Sequence, residues 1–214
     1  MIIAVDGPAA SGKGTLSRRL ASHFDLAVLD TGLIYRAVGL KVLDEGGDPG
    51  YGVAAIAAAE SLSFHDLNQE GLRGEAAAVA ASQVAAIPEV RGVLVRFQRS
   101  FATHPPIGKL GAVLDGRDIG TVIFPDAKYK IFLIANPEVR ATRRFKELQD
   151  RGSKAIHSRI LRDMKDRDDK DSSRTIAPLE PAKDAYVMHT TSLQADAAFV
   201  AALNYISSQN HGKR

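Results

Sequence analysis

Gly7-Pro8-Ala9-Ala10-Ser11-Gly12-Lys13-Gly14-Thr15 follows the apolar run Ile2-Ile3-Ala4-Val5 and precedes Leu16, Leu20 and Phe24 at helical spacing. A strand, a glycine-rich loop and a helix in that succession are the setting of a phosphate-binding loop. The glycines let the backbone curl so that successive N–H groups point at one anion. The helix that starts there turns its positive end toward the same spot. Lys13 is placed to reach the terminal phosphates as a point charge, and a hydroxyl to hold Mg²⁺. G-x-x-x-x-G-K is intact, but Gly14 follows the lysine and the hydroxyl comes one residue later, on Thr15.

Working outward, Leu26-Ala27-Val28-Leu29 reads as a second strand, closing on Asp30. Asp30 or Thr31 caps a helix running to about Glu45, and Gly46-Gly47-Asp48-Pro49-Gly50 breaks it. From Tyr51 to Pro88 the chain is alanine-rich and mostly helical, with a strand candidate at Leu62-Ser63-Phe64. Its small apolar residues suggest a cover rather than the central core. A helix with the stripe Val90, Leu94, Phe97 and Phe101 starts at Pro88. Ala112-Val113-Leu114-Asp115 is a third strand, Tyr129 to Ala135 a fourth and Ala185-Tyr186-Val187-Met188 a fifth. Asn136-Pro137-Glu138 opens a helix bearing Arg140, Arg143 and Arg144. Another helix runs from about Ser153 to Asp171 and a last one from Ala195 to Ser208, and the tail from His211 to Arg214 is expected to fray.

Strands alternating with helices predict an α/β, three-layer P-loop fold with a central five-stranded parallel sheet. The 214 residues suffice for one such domain. We expect a core of about 1–45 and 105–214, with a small inserted subdomain at about 46–104 and a short segment at about 145–158 between two helices. The chain has no cysteine, which excludes disulfides, thiolate catalysis and cysteine zinc sites, and fits a cytoplasmic location. No apolar run is long enough to span a membrane. The net charge of +3 suits a small phosphorylated substrate as well as nucleic acid.

Open α/β sheets bind ligands beyond the carboxyl ends of their strands. There the sequence puts Lys13, Thr15 and Asp115, a set for a nucleotide with Mg²⁺, and Arg36 and Arg117, two forks for a second phosphate. An apolar strand closing on an aspartate, as at Asp115, is the arrangement that orients Mg²⁺ directly or through water. On their own these residues leave other readings open. Arg36 and Arg117 could be surface ion pairs, Asp115 a helix cap, Tyr35 core, Ser82 structural, and Asp166 to Arg174 a solvated helix face.

Four further motifs occur in order: D-x-G-x-x-Y-R from Asp30, A-S-Q-V-A-A-x-P-x-V-R from Ala81, D-G-R-D-x-G-T-V-x-F-P-D-A from Asp115, and R-D-x-x-D-x-x-R-x-x-x-P-L from Arg167. With the glycine loop they resemble bacterial cytidylate kinases, of the nucleoside monophosphate kinase fold, over almost the whole chain. The resemblance implies ATP-dependent phosphorylation of CMP and dCMP by direct in-line transfer, with Mg²⁺ as cofactor. It implies that Gly7, Pro8, Ala9, Ala10, Ser11, Gly12, Lys13, Gly14 and Thr15 bind ATP, with Arg143 or Arg144 near a short lid at about 145–158, and that the inserted subdomain binds the nucleoside monophosphate. It assigns Ser82, Arg91 and Asp118 to the cytosine, and Arg167 with Asp171 to the ribose. Thr31, Tyr35, Arg36, Arg117 and Arg174 would surround the acceptor phosphate. Lys13, Arg36, Arg117 and Arg174 would be catalytic, and Thr15 and Asp115 would serve the metal. A monomer without nucleic-acid or membrane partners is expected.

Two departures from the family stand out. Leu33 replaces a usual alanine beside the acceptor site, and the insert lacks the family's strand-rich hairpin. Two other readings compete: a related small P-loop kinase for another monophosphate or small alcohol, and a P-loop switch or nucleic-acid-binding protein. Against the latter, no N-K-x-D motif is present, the arginines are interspersed with acids, and aromatics are few.

Overall fold

Strand β1 (Ile2–Asp6) leads through the glycine loop into α1 (Lys13–Phe24), and β2 (Ala27–Asp30) into α2 (Thr31–Asp44). Three helices follow, α3 (Gly52–Glu60), α4 (Glu75–Val84) and α5 (Pro88–Thr103), before β3 (Ala112–Gly116). Then come β4 (Tyr129–Ile134), α6 (Pro137–Asp150), α7 (His157–Ser172), β5 (Tyr186–His189) and α8 (Ala195–His211). This computed structural model describes residues 1–211; residues 212–214, the rest of the tail expected to fray, lie outside the described residues.

The strands form one five-stranded parallel sheet in the order β2-β3-β1-β4-β5, the α/β architecture expected from the sequence. Ile3 faces Val113 on one side of β1 and Tyr129 on the other. A strand flanked by two others has both faces covered, hence the unbroken apolar run at Ile2–Val5. The chain divides into two compact units, 1–28 with 105–214, and 29–104.

In the first unit, Ile3, Val5, Val113, Ile131 and Leu133 of the sheet pack with Leu16 and Leu20 of α1 and Ala202 and Ile206 of α8. Ile3, Leu20, Ile131 and Ile206 are essentially withdrawn from water, each worth about 1.5–3 kcal/mol. Between β3 and β4 the chain makes a wide π-type turn at Ile119–Ile123, which the sequence reading did not anticipate.

The second unit is helical. Its alanines serve a closer purpose than cover. A Cβ added at Gly39 of α2 would sit 2.6 Å from the Cβ of Ala80, so the two backbones meet only because both residues are small. Ala77, Ala80 and Ala81 form the buried face of α4. The strand expected at Leu62-Ser63-Phe64 is not there. Ser63 instead caps a short 3-10 helix at Phe64–Asn68. Its N–H and hydroxyl both donate to Asp66 Oδ2, at 2.7 and 3.0 Å. A capping box outcompetes strand pairing for so short an apolar run. α7 also starts later than expected, at His157 rather than about Ser153.

Candidate active site

The glycine loop leaves β1 at Gly7, whose φ is +141°. A Cβ there would lie 2.3 Å from the Leu133 carbonyl oxygen, so only glycine lets the chain turn this close to β4. Ala10 adopts a left-handed φ of 56° without being glycine, local strain of the kind found at ligand-binding loops. Pro8, Ala9 and Ala10 are half-buried, and Ser11 is fully buried. Gly12 caps α1, and Lys13 begins it.

Lys13 is buried and folds back over the loop, its Nζ donating to the Pro8 carbonyl at 2.8 Å. The same ammonium lies 3.9 Å from Asp115 Oδ1, so the end of β3 faces the start of α1 as the sequence suggested. Asp115 is 7% exposed and belongs to the strand, which rules out the helix-cap reading. Gly14 now has a spatial reason. A Cβ there would lie 3.3 Å from both Asp115 Oδ2 and Arg18 Nη1, so a side chain fits only if those two shift by a few tenths of an ångström. Thr15 is exposed on the first turn of α1. Among the described residues no three His, Asp or Glu side chains gather around a metal position. One carboxylate, one hydroxyl and the phosphates of a nucleotide are nevertheless what magnesium accepts, since it keeps most of its waters. The residues present therefore fit Mg²⁺ arriving with a nucleotide.

Asp6 is a buried acid that the motif reading passed over. Its carboxylate accepts the N–H groups of Ile119 at 2.9 Å and Gly120 at 2.7 Å. It thereby pins the π-type turn that follows Asp118. Burial pushes its carboxyl up to about 7, against the lowering pull of those two amides; Asp118 adds to the rise and Lys13 opposes it. The signal was an acid at the end of an otherwise apolar strand. Asp118 itself is 6% exposed.

The charge run of α7 is solvated on one side only: Asp166, Asp169 and Lys170 are exposed, whereas Arg167 and Asp168 are half-buried. Asp171 is 2% exposed and gathers three arginines. Arg117 Nε lies 3.2 Å and Arg167 Nε 3.9 Å from its Oδ2, and Arg174 Nη2 lies 2.5 Å from its Oδ1. One buried carboxylate thus holds Arg117 and Arg174 by hydrogen bonds, with Arg167 at ion-pair distance. In α6 the three arginines go separate ways. Arg144 pairs with Glu147 on its own helix. Arg143 donates to Thr190, and burial holds its guanidinium below the usual range. Arg140 and Thr190, to which the sequence reading gave no role, bond the carbonyls of Ala9 and Ser11 in the glycine loop.

In the second unit, Thr31 is buried at the start of α2, and Tyr35 and Arg36 follow one turn on. The Arg91 guanidinium of α5 lies 5.7 Å from the centre of the Tyr35 ring. Arg91 is 6% exposed and donates to the Ala85 carbonyl at 3.4 Å. Ser82 is half-buried on α4. Arg36 donates to the carbonyls of Leu72 and Gly74, at 3.0 and 3.2 Å. Leu33 lines a cavity of about 380 Å³ with Leu67 to Arg73, the segment that stands where the family carries its hairpin.

Comparison with known proteins finds relatives along nearly the whole chain. The chain is 56% identical to the cytidylate kinase of Paramagnetospirillum magneticum over 208 residues, covering 97% of this chain and 98% of that one. It is also 56% identical to the cytidylate kinase of Methylocella silvestris, covering 100% and 97%. Among solved structures, an uncharacterized protein from Eubacterium ventriosum superposes with a TM-score of 0.54 at 15% identity, covering 97% of this chain and 99% of that one, a likeness of fold alone. The sequence profile of the cytidylate kinase family matches residues 3–208. A match of that extent, on a chain whose glycine loop, Asp115 and Asp171-bound arginines are arranged as described, means that this protein belongs to the cytidylate kinase family.

Proposed function

We propose that the protein transfers the γ-phosphoryl group of Mg·ATP to CMP and dCMP, giving CDP and dCDP. The observation that carries the reading is the buried Lys13–Asp115 pair against the glycine loop. Gly7 to Thr15 bind the donor's phosphates, with Arg143 or Arg144 near the lid approaching the donor. The chemistry supplied by bound magnesium, through Asp115 and Thr15, is neutralisation of the phosphate oxygens.

Phosphoryl transfer needs positioning and charge stabilisation more than covalent chemistry. Lys13 leaves the Pro8 carbonyl for the donor's terminal phosphates. Arg36, Arg117 and Arg174, with Thr31 and Tyr35, hold the acceptor phosphate in line. Asp171 keeps Arg117, Arg167 and Arg174 from collapsing onto other partners, and with Arg167 it meets the ribose. Asp118 accepts the exocyclic amine of cytosine, while Ser82 and Arg91 donate to its O2 and N3. The segment 145–158 closes as a lid to keep water from the transferring group. The inserted subdomain at about 46–104 binds the nucleoside monophosphate.

We further propose that the enzyme is a cytoplasmic monomer without nucleic-acid or membrane partners. In support, Arg140, Arg144 and Arg174 are paired with Asp168, Glu147 and Asp171. Among the described residues no single helix is long and apolar enough to cross a membrane.

Asp118→Ala tests the base assignment. A cytosine-reading carboxylate, once removed, narrows the rate advantage of CMP over UMP by about 10-fold or more, the worth of one buried charged hydrogen bond. An unchanged ratio would remove Asp118 from the base site.

A further inference from the structure

We propose that Arg140 and Thr190 are positioning residues that aim the glycine loop's amides at the donor phosphates from behind, without touching the nucleotide. The inference rests on the kinase reading above for what the loop binds.

In a trans peptide the carbonyl of one residue and the N–H of the next point in opposite directions across one plane. Holding a carbonyl therefore aims the following amide. Three carbonyls of the loop are held by side chains, two of them from outside the loop. The Pro8 oxygen accepts from Lys13 Nζ at 2.8 Å. The Ala9 oxygen accepts from Arg140 Nη1 at 3.2 Å. The Ser11 oxygen accepts from Thr190 Oγ1 at 2.8 Å. The first of these hands is the lysine that the donor phosphates call away. The other two stay, and they fix the planes that carry the N–H groups of Ala10 and Gly12.

Both holders are themselves over-determined. Arg140 is 3% exposed, and its fork spans three segments. Besides Ala9 it donates from Nε to the Ala135 carbonyl at the end of β4, at 2.9 Å, and from Nη2 to Asp168 Oδ2 of α7, at 2.5 Å. Thr190 is also 3% exposed, just past β5. Its N–H donates to the Ile134 carbonyl at 2.7 Å, and its own carbonyl accepts from Arg143 Nη2 at 2.5 Å. Arg143 Nη1 donates to the Thr190 hydroxyl at 3.4 Å, and of the two carbonyls in reach of that hydroxyl's single proton Ser11 at 2.8 Å is nearer than Ile134 at 3.4 Å. Ala10 lies between the two held planes in a left-handed conformation that an alanine does not adopt unforced. The strain is local and the restraint comes from the ends of β4 and β5.

The test uses the full chain and measures Mg·ATP affinity by calorimetry, with KM for ATP and for CMP from steady-state rates. Thr190→Val removes one hydroxyl at nearly constant shape. It should weaken ATP binding and raise KM for ATP by about fivefold to tenfold, one hydrogen bond's worth, with KM for CMP within about twofold. Thr190→Ser should restore ATP affinity to within about twofold of the parent. Arg140→Lys keeps the charge beside Asp168 but loses the fork, and should shift the same ATP-to-CMP ratio. If Thr190→Val does not fold, the Arg140→Lys ratio decides. Unchanged ATP affinity, or equal losses for ATP and CMP, would overturn the assignment. A parent protein that binds no Mg·ATP would instead sink the kinase reading itself.

Discussion

Asp6 holds its proton up to about pH 7 in the folded protein because it is buried, whereas in the unfolded chain it releases it near 3.8. Between those values the native state binds more protons than the unfolded one. Asp6 therefore contributes stability that is fully present below about pH 4 and is lost as the pH rises through about 7, on the order of a few kcal/mol. Urea denaturation at pH 5 and pH 8 should show the parent losing more stability than Asp6→Asn over that interval; parallel losses would mean that the carboxyl titrates normally. Lys13 carries a different prediction. Lys13→Ala should lower turnover with every acceptor by about 10²-fold or more, as expected for a group that stabilises developing charge. Full activity would end the loop reading. At this scale the sequence was legible where chemistry demands a residue type at a fixed offset, as with Lys13 and Asp115. It was silent where a side chain acts on backbone. Arg140 sits among Arg143 and Arg144, and nothing in that spacing says which one bonds a loop carbonyl. The usable signal was Arg140 beside Ala141 on the buried stripe of α6.

Among the elements, the strands were read nearly to the residue, because buried parallel strands are unbroken apolar runs closed by a polar residue. The inserted region was harder. Leu62-Ser63-Phe64 is too short for periodicity to decide, and Asp66, three residues beyond the Ser63 cap, settles it as a helical turn. The closeness of α2 and α4 was also hidden, since an alanine-rich run looks the same whether it covers a core or permits backbone contact. That closeness is testable. Gly39→Ala drives a methyl into Ala80 and should cost about 1–3 kcal/mol, read as a lower urea midpoint. A midpoint equal to the parent's would mean that the helices part at no cost.

Across the whole molecule, α/β alternation made the sheet legible, and five motifs in register over most of the chain pointed to the family that the matched residues 3–208 bear out. Hydrogen bonds between distant segments, such as Asp6 to Ile119 or Thr190 to Ser11, were not legible, because no local pattern encodes a partner more than 100 residues away. The central claim is that the donor and acceptor machinery together select a cytosine monophosphate. A coupled assay of ADP formation from Mg·ATP, with CMP, dCMP, UMP and AMP offered separately to the purified protein, measures this directly. The account predicts turnover with CMP and dCMP far faster than with UMP or AMP. Equal rates with all four, or ATP consumption indifferent to the acceptor, would contradict it.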